Sequence, residues 1–280
     1  MRVLVHGFGC SALARSGQGY APPCAGQPAY QPIGLSRYNS FKPRNNRNGV
    51  TVTLGTLSGG SGTFLNGAGA ADAPSFYIVV GKNLNTTFAG TVRDSSSLRT
   101  TTITKVGTGI WTLTGTNTYS GTTTVSAGAL LVNGSHAAAT NTVTVATAGT
   151  LGGNGIIGGN TTVSGNLSPG TSIGKLTFNQ NLTLAPSSTS ILELSKLLLT
   201  NDVVRVLGNV TYNGSLTALN VSPDAFEAGD SFQLFNARSY SGAFTDLSLH
   251  SLEFGLEWET NSLATNGTLS IIAMTNAPYF

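Results

Sequence analysis

The sequence predicts an all-β chain: a right-handed parallel β-helix with a C-terminal β cap and an irregular N-terminal tail. Three observations lead there. From Val50 onward, short alternating or apolar runs such as VTVTLGTL, FYIVVG, IWTLTG, NTVTVATAGTLGG and KLTFNQNLTLAP are separated by Gly and Asn about every ten residues, the mark of successive short strands. No helical period of apolar residues occurs among them. The runs also resemble one another: ALLVNG, GTLGGNG, SGNLSPG, NQNLTLAP and YNGSLTALNV each set a Leu beside Asn or Gly after a Thr/Val-rich stretch. Self-similarity of this kind points to coils stacked on one another. A sandwich or barrel would account for the strands and not for the repetition.

Residues 1–48 have a different composition, holding five of the ten prolines, both cysteines (Cys10 and Cys24) and a run of basic residues. This segment is expected to be irregular or disordered. Cys10 and Cys24 either pair or stand as inert thiols, and neither belongs to a metal-type spacing. The opening MRVLVHGFGCSALARS lacks the uninterrupted apolar run of a signal peptide, because His6 and two glycines break it. Gly7 occupies the position where a lipoprotein-type Cys10 would want Leu. No stretch of 18 or more apolar residues predicts a spanning helix.

Residues 49–223 are expected to form the β-helix. Inward Val, Leu, Ile and Thr would stack down the axis, Asn would stack at turns, and coils of about 20 residues would give roughly eight or nine turns over about 40 Å. Residues 224–280 are expected to close it. Phe226, Phe232, Phe235, Phe244, Phe254 and Trp258 would bury the last coil, while the seven acids between Asp224 and Glu259 face water. A solenoid leaves a strand edge at each tip, and such edges need cover.

Charge narrows the function. Only 9% of residues are ionisable, against about 25% in an ordinary soluble domain. The formal charge of +3 comes from Arg2, Arg15, Arg37, Lys42, Arg44 and Arg47, with no acid before residue 50, so the remainder carries 8 basic and 11 acidic residues. Nucleic-acid binding, which needs a basic face on the folded body, is not expected. The run Lys42-Pro-Arg-Asn-Asn-Arg47 reads as a solvated tail.

Each candidate chemical site also has a plainer reading. Gly153-Asn-Gly155-Ile-Ile-Gly158 has the GxGxxG spacing, yet a turn and a strand follow it and the next acid is Glu193, so corner glycines are expected rather than a cofactor turn. Asp224, Glu227 and Asp230 offer oxygens to Ca²⁺ without a known loop spacing, and a polar turn is the expectation. Glu257 and Glu259 share a strand face if Trp258 points inward, near Glu253, which suggests either a glycosidase-type carboxylate pair or a solvated face; the latter is expected. Asp202 and Arg205 either pair or stand on an outer wall. His6, His136 and His250 have no triad or metal spacing. Trp111 and Tyr119 are expected to pack rather than stack on sugars. No catalytic, cofactor or metal residue is therefore assigned.

The segment TKVGTGIWTLTGTNTYSGTTTVSAGALLVNGS, residues 104–135, carries one charge, Lys105. Its features Lys105-Val-Gly-Thr-Gly109, Trp111-Thr-Leu113, Thr116-Asn-Thr-Tyr-Ser-Gly121 and Thr124-Val-Ser-Ala-Gly128-x-Leu130 resemble the autotransporter-associated β-strand repeat of bacterial surface-protein passenger domains. LGTLSGGSG, GNLSPGTSIGKLTFNQNLTLAP and AGDSFQLFNA look like its usual companions, so the resemblance covers about residues 50–272. It implies a β-helical stalk, export, an extracellular or cell-surface location, and display or adhesion with surface glycans or other surface proteins as partners. It would also lead one to expect a translocator barrel or a sorting anchor, and neither precedes Phe280. The alternative on the same fold is a polysaccharide lyase or hydrolase.

Overall fold

The computed structural model describes the backbone of residues 3–7, 10–14, 31–35, 40–41, 50–67, 73–79 and 81–274, and side chains from residue 51 onward within these. The chain is all-β, with one short helix, Leu263–Asn266, among the described residues.

Alternation sets the local structure. In Thr161–Val163 the outer residues of the triplet are buried and Thr162 is exposed, as a period of two on a half-buried strand requires. The same logic runs through Val143–Gly153, where Val143, Val145 and Leu151 point inward.

Pairing between such strands is parallel and forms three columns. The first runs through 50–53, Ser75–Val79, Thr101–Lys105, 123–125, 143–145, Thr161–Val163, Leu182–Leu184, 210–212 and 240–242, nine levels in all. The second passes through Thr86–Phe88, Ile110–Leu113, 130–132, 150–153, Asn166–Pro169, 189–190, 215–216 and 246–247. The third takes Ser135–His136, Ile156–Ile157, 177–178, 205–206 and 236–237. The chain visits them in rotation, so each level lies on the one before.

Register turns this pairing into packed rows. Trp111, Leu130, Leu151, Leu167, Ser190 and Leu216 are successive partners and all are buried. His136, Ile157, Phe178 and Val206 form a second buried row. Each side chain gains contact from the levels above and below, so burial is shared along the axis.

Corners are made tight by residue choice. A Cβ at Gly115 would meet the Gly90 carbonyl, at Gly134 the Gly115 carbonyl, and at Gly155 the Gly134 carbonyl. Only glycine permits this column of backbone contacts. At another corner Asn side chains link levels: the Asn160 Oδ1 accepts from the Asn181 amide at 3.2 Å, and the Asn181 Oδ1 from the Asn209 amide at 2.9 Å.

Strand pairing extends on both sides of residues 49–223. Parallel pairing continues past residue 223, because Phe235–Gly242 pairs with Val203–Tyr212 and Asp246–Leu249 pairs with Ser215–Asn220. The strand signal there is obscured by the aromatic and acidic residues between. In the N-terminal segment the backbone forms strands at Val3–Gly7, Cys10–Ala14, Gln31–Leu35 and Ser40–Phe41, the last two paired in parallel with 54–59 and 64–65. Cys24 and the side chains of His6 and Cys10 lie outside the described residues, as does any pairing of the two cysteines.

After the columns, Ser231–Gln233, Thr268–Ala273 and Leu256–Glu259 form a separate antiparallel sheet. Phe226 packs edge-on against Phe232 and Trp258 of this sheet at 5.4 Å each, while between the last two levels Tyr212 lies 5.0 Å from Phe235 and 4.7 Å from Phe244.

Candidate functional surface

Three ionisable groups of the columns, Lys105, Asp202 and Asp94, are taken up by backbone. Lys105 occupies an inward row otherwise made of Val79, Val125, Val145, Val163 and Leu184. Its ammonium donates to the carbonyls of Val106, Gly107 and Ala127 at 2.8, 2.9 and 2.9 Å. An ammonium has three donors and no acceptor, so its hydrogen-bonding is complete there. Burial pushes it down to about 8. Gly128 at φ 63° completes the seat, since a Cβ there would lie 2.7 Å from the Lys105 Nζ.

Asp202 is buried instead of standing on an outer wall. Its oxygens accept from the Gly174 amide at 2.7 Å and the Glu193 amide at 2.9 Å, while Arg205 is exposed. Desolvation raises the carboxyl to about 6 against the pull of those two amides. Asp94, which sequence reasoning passed over, does the same work with the Thr101 amide at 2.7 Å and the Ser120 amide at 2.9 Å. Nothing in a lone Asp beside Arg signals this role; a partner 26 residues away supplies it.

The remaining candidates resolve in the same direction. His136 is buried edge-on to Tyr119 at 6.0 Å, and desolvation lowers its imidazole to about 4. Trp111 and Tyr119 are both buried, with the Tyr119 hydroxyl 2.6 Å from the Thr123 Oγ1. Gly153 and Gly155 turn the chain into the strand Ile156–Ile157, and Gly158 follows that strand ahead of Thr161–Val163. The turn 224–230 is closed by the Asp230 Oδ2, which accepts from the Glu227 amide at 2.8 Å. Lys196 pairs with Asp230 at 2.8 Å and with Glu227 at 3.1 Å. Asp230 is thus buried, contrary to the expectation that all these acids face water. Trp258 turns inward and donates to the His250 carbonyl at 2.9 Å, leaving Glu257 exposed and Glu259 bonded to the Asn261 amide. Among the described residues no group of three or more His, Cys, Asp or Glu is placed to hold a metal ion.

What the columns present outward is a row of hydroxyls. Thr104, Thr124, Thr144, Thr162, Thr183, Thr211 and Ser241 are successive register partners on the outer face of the first column. The row is half-buried at Thr104 and Thr124 and exposed from Thr144 onward. At the last step of the row the Thr211 and Ser241 hydroxyls lie 3.1 Å apart. Beside it run Asn160, Asn181, Asn209 and Ser239, the last donating to the Asn209 Oδ1 at 2.7 Å. Both rows are uncharged.

The third and fourth levels carry the densest set of these devices: the Lys105 seat, the Trp111 core position, the Gly115 corner and the Thr104–Thr124 step. The family model of the passenger-associated-transport-repeat matches residues 103–132. That span overlaps residues 104–135, whose motifs resemble the autotransporter-associated repeat. No curated protein matches the chain. Among the described residues no helix is long and apolar enough to cross a membrane.

Proposed function

We propose that this chain is a right-handed parallel β-solenoid serving as a non-catalytic stalk of a bacterial passenger-type protein, displayed outside the cell. The observation that carries the reading is the passenger-associated repeat at 103–132, set within three parallel columns. Right-handed winding follows from the twist of parallel strands joined by crossovers in one sheet. Residues 224–272 are assigned as its closing part: they supply the ninth level, whose Phe235 and Phe244 pack on Tyr212, and the antiparallel sheet, whose Phe232 and Trp258 pack on Phe226. Catalysis is not part of the reading, since Lys105, Asp94 and Asp202 are consumed in holding backbone.

Adhesion fits the outward face. The Thr row and the Asn row offer donors and acceptors at each level without charge, which suits neutral glycans. Single contacts of this kind are weak, and repetition along the axis multiplies them.

The reading is tested on intact cells of the source organism with antibody against the 140–220 face. Labelling of intact cells supports display; labelling only after permeabilisation overturns it. A turnover screen on pectins, alginates and glucans tests the absence of catalysis. Cleavage abolished by Asp202→Ala or Glu257→Ala would replace the stalk with an enzyme.

A further inference from the structure

An open groove of 770 Å³ lies on one side of the last three levels, lined by Lys196, Leu197, Phe226, Phe254 and Leu256 and rimmed by Asp224, Glu227 and Glu253. Leu197 and Phe254 are 67% and 78% exposed, two of the three most exposed large apolar side chains among the described residues. One lysine faces three rim acids, and that lysine is engaged by Glu227 and Asp230. The groove therefore combines an unpartnered apolar floor with a net negative rim.

The complementary surface is in the same sequence. Lys42, Arg44 and Arg47 fall within eight residues that hold no acid. This stretch is tethered at both ends to the opposite end of the columns: Ser40–Phe41 pairs with 64–65, and Val50 pairs with Ser75. Nine Cα–Cα steps from Phe41 to Val50 give a contour of about 32 Å, so its tip reaches no more than about 16 Å from its anchors. The groove follows the strands of levels seven to nine, six or more strand spacings from the first level, about 29 Å. A contour of that length between Phe41 and Val50 is too short to span the distance to the groove of the same chain.

We propose that the groove receives the basic segment 42–49 of a second copy, joining copies head to tail. The rim acids pair with Lys42, Arg44 and Arg47. A guanidinium lies over the Phe254 ring, the geometry that Arg93 adopts over Phe64 at 3.9 Å in this molecule. Repeated contacts of one end to the other are heterologous and do not close, so the product is a linear filament of stalks. The proposal does not depend on where the protein is displayed.

The test uses the full chain in sedimentation velocity, with concentration and salt varied. Concentration-dependent association at low salt, weakened at high salt, is expected. Asp224→Lys with Glu253→Lys alters two exposed rim positions and should weaken association at least about tenfold, with an unchanged thermal transition. Arg44→Glu with Arg47→Glu should do the same, and mixing the two double variants should restore association, because the unaltered segment of one meets the unaltered groove of the other. A monomer at every concentration in low salt, association untouched by either reversal, or no rescue on mixing would overturn the proposal. A monomer whose segment 42–49 cross-links to the groove within one chain would overturn the second copy as occupant.

Discussion

Removing a side chain from the middle of a stacked row should cost more than removing the same side chain from its end. Leu151 is buried between Leu130 and Leu167, whereas Leu247, the partner of Leu216 at the ninth level, is 37% exposed. Leu→Ala deletes about three methyl-type groups at roughly 0.8 kcal/mol each, or about 2.4 kcal/mol of transfer free energy. At Leu151 neighbours on both sides are fixed by their own register, so a cavity remains and the total falls in the range of about 3–5 kcal/mol. At Leu247 only about two thirds of the transfer applies and water fills the gap, giving about 1.5 kcal/mol. Urea denaturation of Leu151→Ala and Leu247→Ala, with equal slopes, should separate the two by at least about 1.5 kcal/mol. Equal losses, or the larger loss at Leu247, would refute the argument that burial is shared between levels.

Lys105→Ala leaves the Val106, Gly107 and Ala127 carbonyls without their donor and opens a cavity in a packed row, and is expected to cost at least about 2 kcal/mol in the same urea assay. Asn181→Ala removes one exposed link between levels, with an expected loss of about 1 kcal/mol. His136, lowered to about 4 in the fold from 6.5, adds stability above pH 6.5 that is lost as pH falls through 4. Asp202 works the other way: raised to about 6 from 3.8, it adds stability below pH 3.8 that is lost as pH rises through 6. His136→Phe should therefore leave a chain whose urea midpoint falls less between pH 6.5 and 4 than that of the parent. Deleting 224–280 should expose the edges of Val203–Tyr212 and Ser215–Asn220 and give an aggregating chain, measured by light scattering. A soluble, monomeric 49–223 fragment would show that no cap is needed.

The strands were legible because a half-buried strand writes its alternation directly into sequence, as Thr161-Thr-Val163 does. The repeat was legible for a related reason: Gly115, Asn117 and Gly121 mark corners whose glycines and buried amide admit few substitutes. The third column was harder to read, since Ser135–His136 and Ile156–Ile157 are two-residue strands without room for a pattern. Lys105 and Asp202 illustrate what local sequence cannot supply. Each is a charge whose burial depends on backbone groups brought near by stacking, 22 and 28 residues away. The Lys196–Asp230 pair was missed likewise, because a turn rich in acids reads as solvated until a lysine 34 residues earlier is placed against it.

The stacking itself is tested most directly by distances along one row. Spin labels at Thr104 paired in turn with Thr183, Thr211 and Ser241 sample four, five and six levels of the same outward row. Pulsed electron–electron resonance should give mean distances that increase by about 4.8 Å with each added level. Distances that stay constant or fall as levels are added would contradict the parallel stack on which the whole account rests.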